Sequence, residues 1–135
     1  MTTKTNWLPA VAIHTPDWCL CLSQDDFDRA AKEIKLKDAG KWLVDGYTGT
    51  THRLERKDGS EVCVICIDVE AIRKDKYDPI RESGLLLHEV IHLWQAVEEG
   101  MNDVKSSKEF EAYSIQNLYL ALAAEYRDKA FSAKM

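Results

Sequence analysis

The chain has 135 residues, of which 45% are hydrophobic and 30% are charged, a composition typical of a single folded domain over residues 1–135 rather than of a disordered protein. The formal net charge is -5 and no run of basic residues occurs, which argues against a nucleic-acid partner. No stretch of about 18 apolar residues is present, so we expect no membrane-spanning helix and no membrane partner, and a cytoplasmic location.

The first predicted elements are a strand and a helix. Residues 18–22, "WCLCL", are typical of a short buried strand. Ser23 follows as a helix cap, with Asp26 three residues later. The next apolar positions recur at helical spacing and are Phe27, Ala30, Ala31 and Ile34. We therefore predict an amphipathic helix that covers a core.

A hairpin is predicted after a turn-rich region that three glycines punctuate between residues 40 and 49. Two strand-like segments between residues 51 and 69 flank Asp58-Gly59, a dipeptide preferred in tight hairpin turns. The second segment, residues 61–69, is almost entirely apolar and should be well buried.

The four cysteines lie in these strand-like segments and are Cys19, Cys21, Cys63 and Cys66. Their pattern indicates buried free thiols in a reducing compartment. "CVIC" matches the CxxC spacing of zinc ligands, but side chains alternate along a strand, so Cys63 and Cys66 should face opposite sides. We expect core packing rather than a zinc site made of four cysteines.

Two long helices are predicted in the second half of the chain. Asp78 followed by Pro79 marks the start of the first helix, and Gly100 marks its end. After a loop at residues 101–107, the second should run from about Lys108 to Lys129. The predicted fold class is α+β, with a small antiparallel sheet of three to four strands packed against these helices.

The first long helix carries the motif "HEVIH" at residues 88–92. His88 and His92 are four residues apart, so they lie one turn apart on the same face. This is the HExxH spacing, by which two imidazoles hold one zinc ion while Glu89 is free to act on a zinc-bound water. A single helical histidine is usually satisfied by ordinary hydrogen bonds, but this pair with its glutamate, in a leucine-rich helix, favours a zinc site.

The opposite face of that helix is apolar. Its residues at helical spacing are Leu86, Val90, Leu93 and Val97. The histidine face also carries Gln95 and Glu99. We expect the apolar stripe to enter the core and the histidine face to line a cleft.

A catalytic zinc needs a third protein ligand, and the last helix offers Glu109 and Glu111. Glu111 shares its stripe with three apolar residues, whereas Glu109 lies about 160° away around the helix axis. A glutamate that points to an apolar interior needs a cation or a hydrogen-bond network. Glu111 is therefore the predicted ligand, and the alternative is that it pairs with a lysine or arginine.

These residues together resemble the gluzincin branch of zinc metallopeptidases. The resemblance extends from Pro79 to Glu125 and is carried by "HEVIH" with its uncharged flanks and by "EAYS", residues 111–114, which is similar to the Glu-Ala-x-Ser ligand helix of the family. The upstream helix and strands resemble the minimal gluzincins found among phage and bacterial proteins. Ile115 stands where the family usually has an aspartate that supports a zinc histidine, so no such partner of His88 is identified.

The resemblance implies a zincin-like fold, with Zn²⁺ held by His88, His92 and Glu111. It implies that Glu89 takes a proton from the zinc-bound water and returns it to the leaving amine of a peptide bond. It also implies that an edge strand, residues 61–69 or its hairpin partner, pairs with an extended peptide or protein substrate. Candidates for the donor that would stabilise the oxyanion are Tyr47, His52, Tyr119 and Tyr126.

The leading functional hypothesis is therefore a zinc-dependent metallopeptidase. The alternative is a zinc-binding module for protein interaction or inhibition that keeps the scaffold without proteolysis, which Ile115 and the lack of an evident second lobe favour. In a third hypothesis, His88 and His92 are ordinary core residues of a helical adaptor.

Overall fold

The structure is a computed structural model that describes residues 4–10, 16–74, 77–101 and 108–132. Within these ranges the strands are β1 (Leu8–Pro9), β2 (Asp17–Cys21), β3 (Gly49–Glu55) and β4 (Glu61–Ile67). The helices are α1 (Gln24–Glu33), α2 (Val69–Arg73), α3 (Pro79–Gly100) and α4 (Lys108–Ser132). None of the described helices is long and apolar enough to cross a membrane.

The four strands form one mixed sheet in the order β1-β2-β4-β3. β3 and β4 form the predicted antiparallel hairpin, but β2 pairs with β4 in parallel, from Asp17 opposite Val62 to Cys21 opposite Cys66. The α+β class is confirmed, whereas the prediction of an antiparallel sheet is wrong for this pair. Because β3 is antiparallel to β4, it runs opposite to β2, so residues 22–48, which include α1, bring the chain to the end of the sheet where β2 finishes before the hairpin begins.

The helix boundaries largely follow the capping signals. The Ser23 hydroxyl accepts a hydrogen bond of 3.1 Å from the Asp26 amide at the start of α1. The Asp78 carboxylate does the same for the Ile80 amide at the start of α3. The predicted strand to residue 69 ends at Ile67 instead, because Asp68 caps the short helix α2, which is too short to have a periodic signal.

The sheet lies between two layers of helix. All residues of β4 from Val62 to Ile67 are buried. Cys63 faces the cluster formed with α3 and α4, whereas Cys66 packs on the other side with Phe27 of α1. All four cysteines are free and buried, so the expectation of core packing is confirmed.

Helix α3 is positioned by its apolar stripe and by β3. Leu86, Val90, Leu93 and Val97 are all buried, as predicted. The opposite face is exposed and carries His88, His92, Gln95 and Glu99. Beside it lies β3, which among the described strands has a neighbour on one side only. The sheet edge near the histidines is therefore β3, whereas β4 is an interior strand and cannot be that edge.

Candidate metal centre and active site

His88 and His92 point their ring nitrogens toward one another across one turn of α3. Their Nε2 atoms are 3.2 Å apart. A tetrahedral zinc ion with Zn–N bonds of 2.0–2.1 Å would place two such nitrogens about 3.3 Å apart. This separation suits a shared zinc ion and also a direct N–H···N hydrogen bond between the two imidazoles, and both rings are exposed on the solvent side of the helix.

Gln95 fixes the orientation of the second imidazole. Its Oε1 atom lies 3.0 Å from Nδ1 of His92, and a carboxamide oxygen can only accept a hydrogen bond. In the tautomer that carries its proton on Nδ1, this contact is a hydrogen bond and the lone pair of Nε2 is left for a metal. Sequence reasoning placed Gln95 on this face without a role, although its spacing of three residues from His92 was a usable signal.

Glu89 is buried between the histidine face and β3. It is 2% exposed, and its Oε1 accepts a hydrogen bond of 2.7 Å from the Thr51 hydroxyl. Within the described part of the chain, no lysine, arginine or histidine forms an ion pair with it. Buried carboxylates are usually paired with a cation, so this glutamate is unusual and stands out as a functional candidate.

A cleft of about 480 Å³ joins these groups. Its floor is α3, with His88, Glu89 and His92, and its walls are β3 and the loop that precedes β3. The cleft thus brings both predicted histidine ligands and the predicted general base to one open surface next to a sheet edge. That arrangement has room for a metal ion and an extended ligand.

Of the four candidate oxyanion donors, Tyr47 lines this cleft and is 65% exposed. The others are engaged elsewhere. His52 Nε2 lies 2.7 Å from the Trp42 carbonyl oxygen, on the side of the sheet that faces α1. The Tyr119 hydroxyl donates to Ser83, and the Tyr126 hydroxyl donates to Glu82. Tyr47 is therefore the candidate that the geometry favours.

The third predicted ligand is not brought to the histidines. Glu111 lies in the first turn of α4 and is partly buried, whereas Glu109 is exposed. Among the described residues, however, no three histidine, cysteine, aspartate or glutamate side chains are grouped closely enough to hold a metal ion. His88 and His92 can serve as two zinc ligands. Among the described residues, no third ligand of these four types is grouped with them.

Arg53 ties β3 to the far end of α3, and sequence reasoning did not identify it. Its guanidinium forms ion pairs of 3.0 Å with Glu61 and 2.6 Å with Glu99. The hydrogen bond to Glu99, followed by that to Glu61, raises the pKa of Arg53 above its ordinary value. The same contact lowers the pKa of Glu99. The pair with Glu61 lies within the β3–β4 hairpin, whereas the pair with Glu99 joins distant parts of the chain and links β3, one wall of the cleft, to α3.

Comparisons with family models, curated protein sequences and solved structures found no match to this chain.

Proposed function

We propose that this protein is a zinc-dependent metallopeptidase. The observation that carries the proposal is the 3.2 Å separation of the His88 and His92 Nε2 atoms, beside the buried Glu89, which has no cationic partner within the described ranges of the chain. His88, Glu89 and His92 have the HExxH spacing, in which the two histidines bind zinc and the glutamate acts as a base. The open cleft beside β3, which among the described strands pairs only with β4, supports a peptide as the substrate.

Each residue of the site has a chemical role in this proposal. His88, His92 and Glu111 would hold the zinc ion, which supplies Lewis-acid polarisation of a carbonyl and acidification of a water. Glu89 accepts a proton from the attacking water and delivers it to the leaving amine. Tyr47 donates a hydrogen bond to the developing oxyanion.

Metal analysis tests the ligand set. Protein purified without chelator should contain about one zinc ion per chain, and His88→Ala, His92→Ala and Glu111→Ala should each lose it. Glu109→Ala is the matched control for Glu111, because it removes a carboxylate from the same turn of α4 on an exposed position. Absence of zinc from the wild-type protein contradicts the proposal, and equal loss in the two α4 variants contradicts the role of Glu111.

Cleavage of a broad peptide library tests the reaction. The zinc-loaded protein should cleave peptides, and Glu89→Gln should retain zinc but lose turnover. Glu98→Gln, an exposed glutamate on the same helix, should cleave like the wild type.

A second candidate function is a zinc-binding module without proteolysis. The unassembled position of Glu111 favours it, because a site with two protein ligands binds metal less firmly and lacks the three-ligand set of catalytic zinc. Stoichiometric zinc together with no cleavage of any library peptide would establish this function and exclude the peptidase.

A further inference from the structure

Two residues of β3 face Glu89 and limit where its carboxylate can lie. Gly49 and Thr51 are two residues apart in a strand, so both point to the same side of the sheet. The Thr51 hydroxyl donates to Oε1 of Glu89 at 2.7 Å. A Cβ atom added to Gly49 would lie 2.9 Å from the other oxygen, Oε2. One residue thus holds one carboxylate oxygen, and the other makes space for the second.

The need for glycine at position 49 comes from this close approach. Gly40, Gly46 and Gly59 have positive φ angles that suit glycine, but Gly49 is not among the positive-φ residues. Its backbone is therefore open to other residue types, and the obstacle to a side chain is contact with Glu89 and with Leu85, whose Cδ1 would lie 3.2 Å away. The nearest atom, Oε2, is the end of a side chain, so an added methyl group would displace the carboxylate before it displaced backbone.

Thr51 is well placed to orient a carboxylate. It pairs with Ile65 in the middle of the β3–β4 ladder, which fixes its backbone, and its branched side chain has few rotamers. An arginine at this position could engage both carboxylate oxygens in a bidentate pair. A single hydroxyl engages one oxygen and leaves the other free to receive a proton.

We propose that Thr51 and Gly49 are positioning residues for Glu89, which hold its carboxylate in the orientation that proton transfer requires. This inference rests on the proposed peptidase function for its catalytic consequence. The positioning itself is a property of the folded chain and can be measured without metal or substrate.

Peptide cleavage measures the catalytic consequence. Thr51→Val keeps the shape of the side chain but removes the donor, and it should lower kcat about 10-fold to 100-fold with KM changed by less than about twofold. Thr51→Ser restores the hydroxyl and should recover most of kcat. If Thr51→Ser is as impaired as Thr51→Val, the hydroxyl is not what matters and the proposal is overturned.

Gly49→Ala tests the space that the carboxylate occupies. It should lower kcat about 100-fold while the protein remains folded. Gly84→Ala is the control glycine, because a Cβ at position 84 meets nothing within 4 Å, and it should leave kcat unchanged. Unchanged kcat in Gly49→Ala overturns the role of this glycine.

Urea unfolding of the metal-free protein separates this inference from the peptidase proposal. Thr51→Val should lower the unfolding midpoint when Glu89 is present, and should lower it much less in a Glu89→Met background, where no acceptor is left. An equal decrease in both backgrounds overturns the positioning role. A wild-type protein that cleaves nothing but shows this coupling would reject the peptidase and retain the contact between Thr51 and Glu89.

Discussion

Glu82 and Glu89 are both buried in α3, about two turns apart, yet their carboxylates are held in different ways. Glu82 accepts four hydrogen bonds of 2.6–3.3 Å. Its donors are Arg73, Tyr77 and Tyr126. Among the described residues, Glu89 accepts a hydrogen bond from Thr51 alone. Because an ionised carboxylate has about four acceptor positions, Glu82 is saturated and Glu89 is not.

This difference assigns the two glutamates to different tasks. Burial raises the pKa of Glu82, but the hydrogen bonds from Arg73, Tyr126 and Tyr77 outweigh it and keep that pKa below its ordinary value. Glu82 is therefore a charged anchor that joins the start of α3 to α2 and to the end of α4. Glu89 keeps free acceptor positions beside an open cleft, which is what proton transfer requires and what stability alone does not explain.

Glu89→Gln should give the largest effect, and it should fall on activity. Loss of the proton acceptor should reduce peptide cleavage about 1,000-fold. The metal-free variant should unfold in urea at the same concentration as the wild type or higher, because its amide oxygen can still accept the Thr51 hydrogen bond and a neutral amide is less costly to bury than a carboxylate. A large decrease in the unfolding midpoint would show that Glu89 is a structural residue like Glu82.

Glu82→Gln should have the opposite pattern. It removes the charge that pairs with Arg73, whose side chain is 25% exposed, and loss of the charge-assisted hydrogen bonds should lower the free energy of unfolding by about 2 kcal/mol. Urea unfolding measures this change. At a temperature where the variant is folded, zinc content and kcat should match the wild type, because Glu82 lies outside the cleft. Loss of zinc by the folded variant would contradict the separation of the two tasks.

The histidine face was predictable from sequence, whereas the contrast between the glutamates was not. His88, His92 and the apolar stripe follow from the helical period, which is a local property. The partners of the glutamates come from other elements: Tyr126 is 44 residues from Glu82, and Thr51 is 38 residues from Glu89. No pattern within one element contains such pairs.

The dependence on residues distant in sequence also explains why the sheet was wrongly predicted to be antiparallel. The β3–β4 hairpin is a short-range feature with its own turn signal, and it was predicted. The parallel pairing of β2 with β4 joins residues about 45 positions apart, and no local pattern in either strand specifies such a partner. The helix α2 was missed because it has only five residues, fewer than a periodic pattern needs.

The stability that Glu82 provides should depend on pH. Its folded pKa lies below the ordinary value, so this stabilisation is present above about pH 4.3 and is lost as the pH falls through the lower folded pKa. Urea midpoints of the wild type and Glu82→Gln, measured from neutral pH downward, should therefore converge in acid. Taking the difference between the two urea midpoints cancels the contribution of other acids with a lowered pKa, because both proteins contain them. A difference that stays constant with pH would mean that the charge of Glu82 does not contribute.

The smallest predicted effect comes from removing single donors to Glu82. The Tyr126 hydroxyl is buried and donates at 2.6 Å, and burial followed by this hydrogen bond raises the pKa of Tyr126. Tyr126→Phe should lower the free energy of unfolding by about 1.5 kcal/mol, the usual contribution of a hydrogen bond to a charged group.

Tyr77→Phe is the matched control for this prediction. Tyr77 donates to the same carboxylate at 2.7 Å, but its side chain is 44% exposed, so water can replace the lost hydroxyl and the decrease in unfolding free energy should be smaller. Neither variant should alter kcat, because both act on the saturated glutamate. If Tyr126→Phe lowered kcat and left the urea midpoint unchanged, the carboxylate at position 82 would be coupled to the cleft and the division between anchor and base would fail.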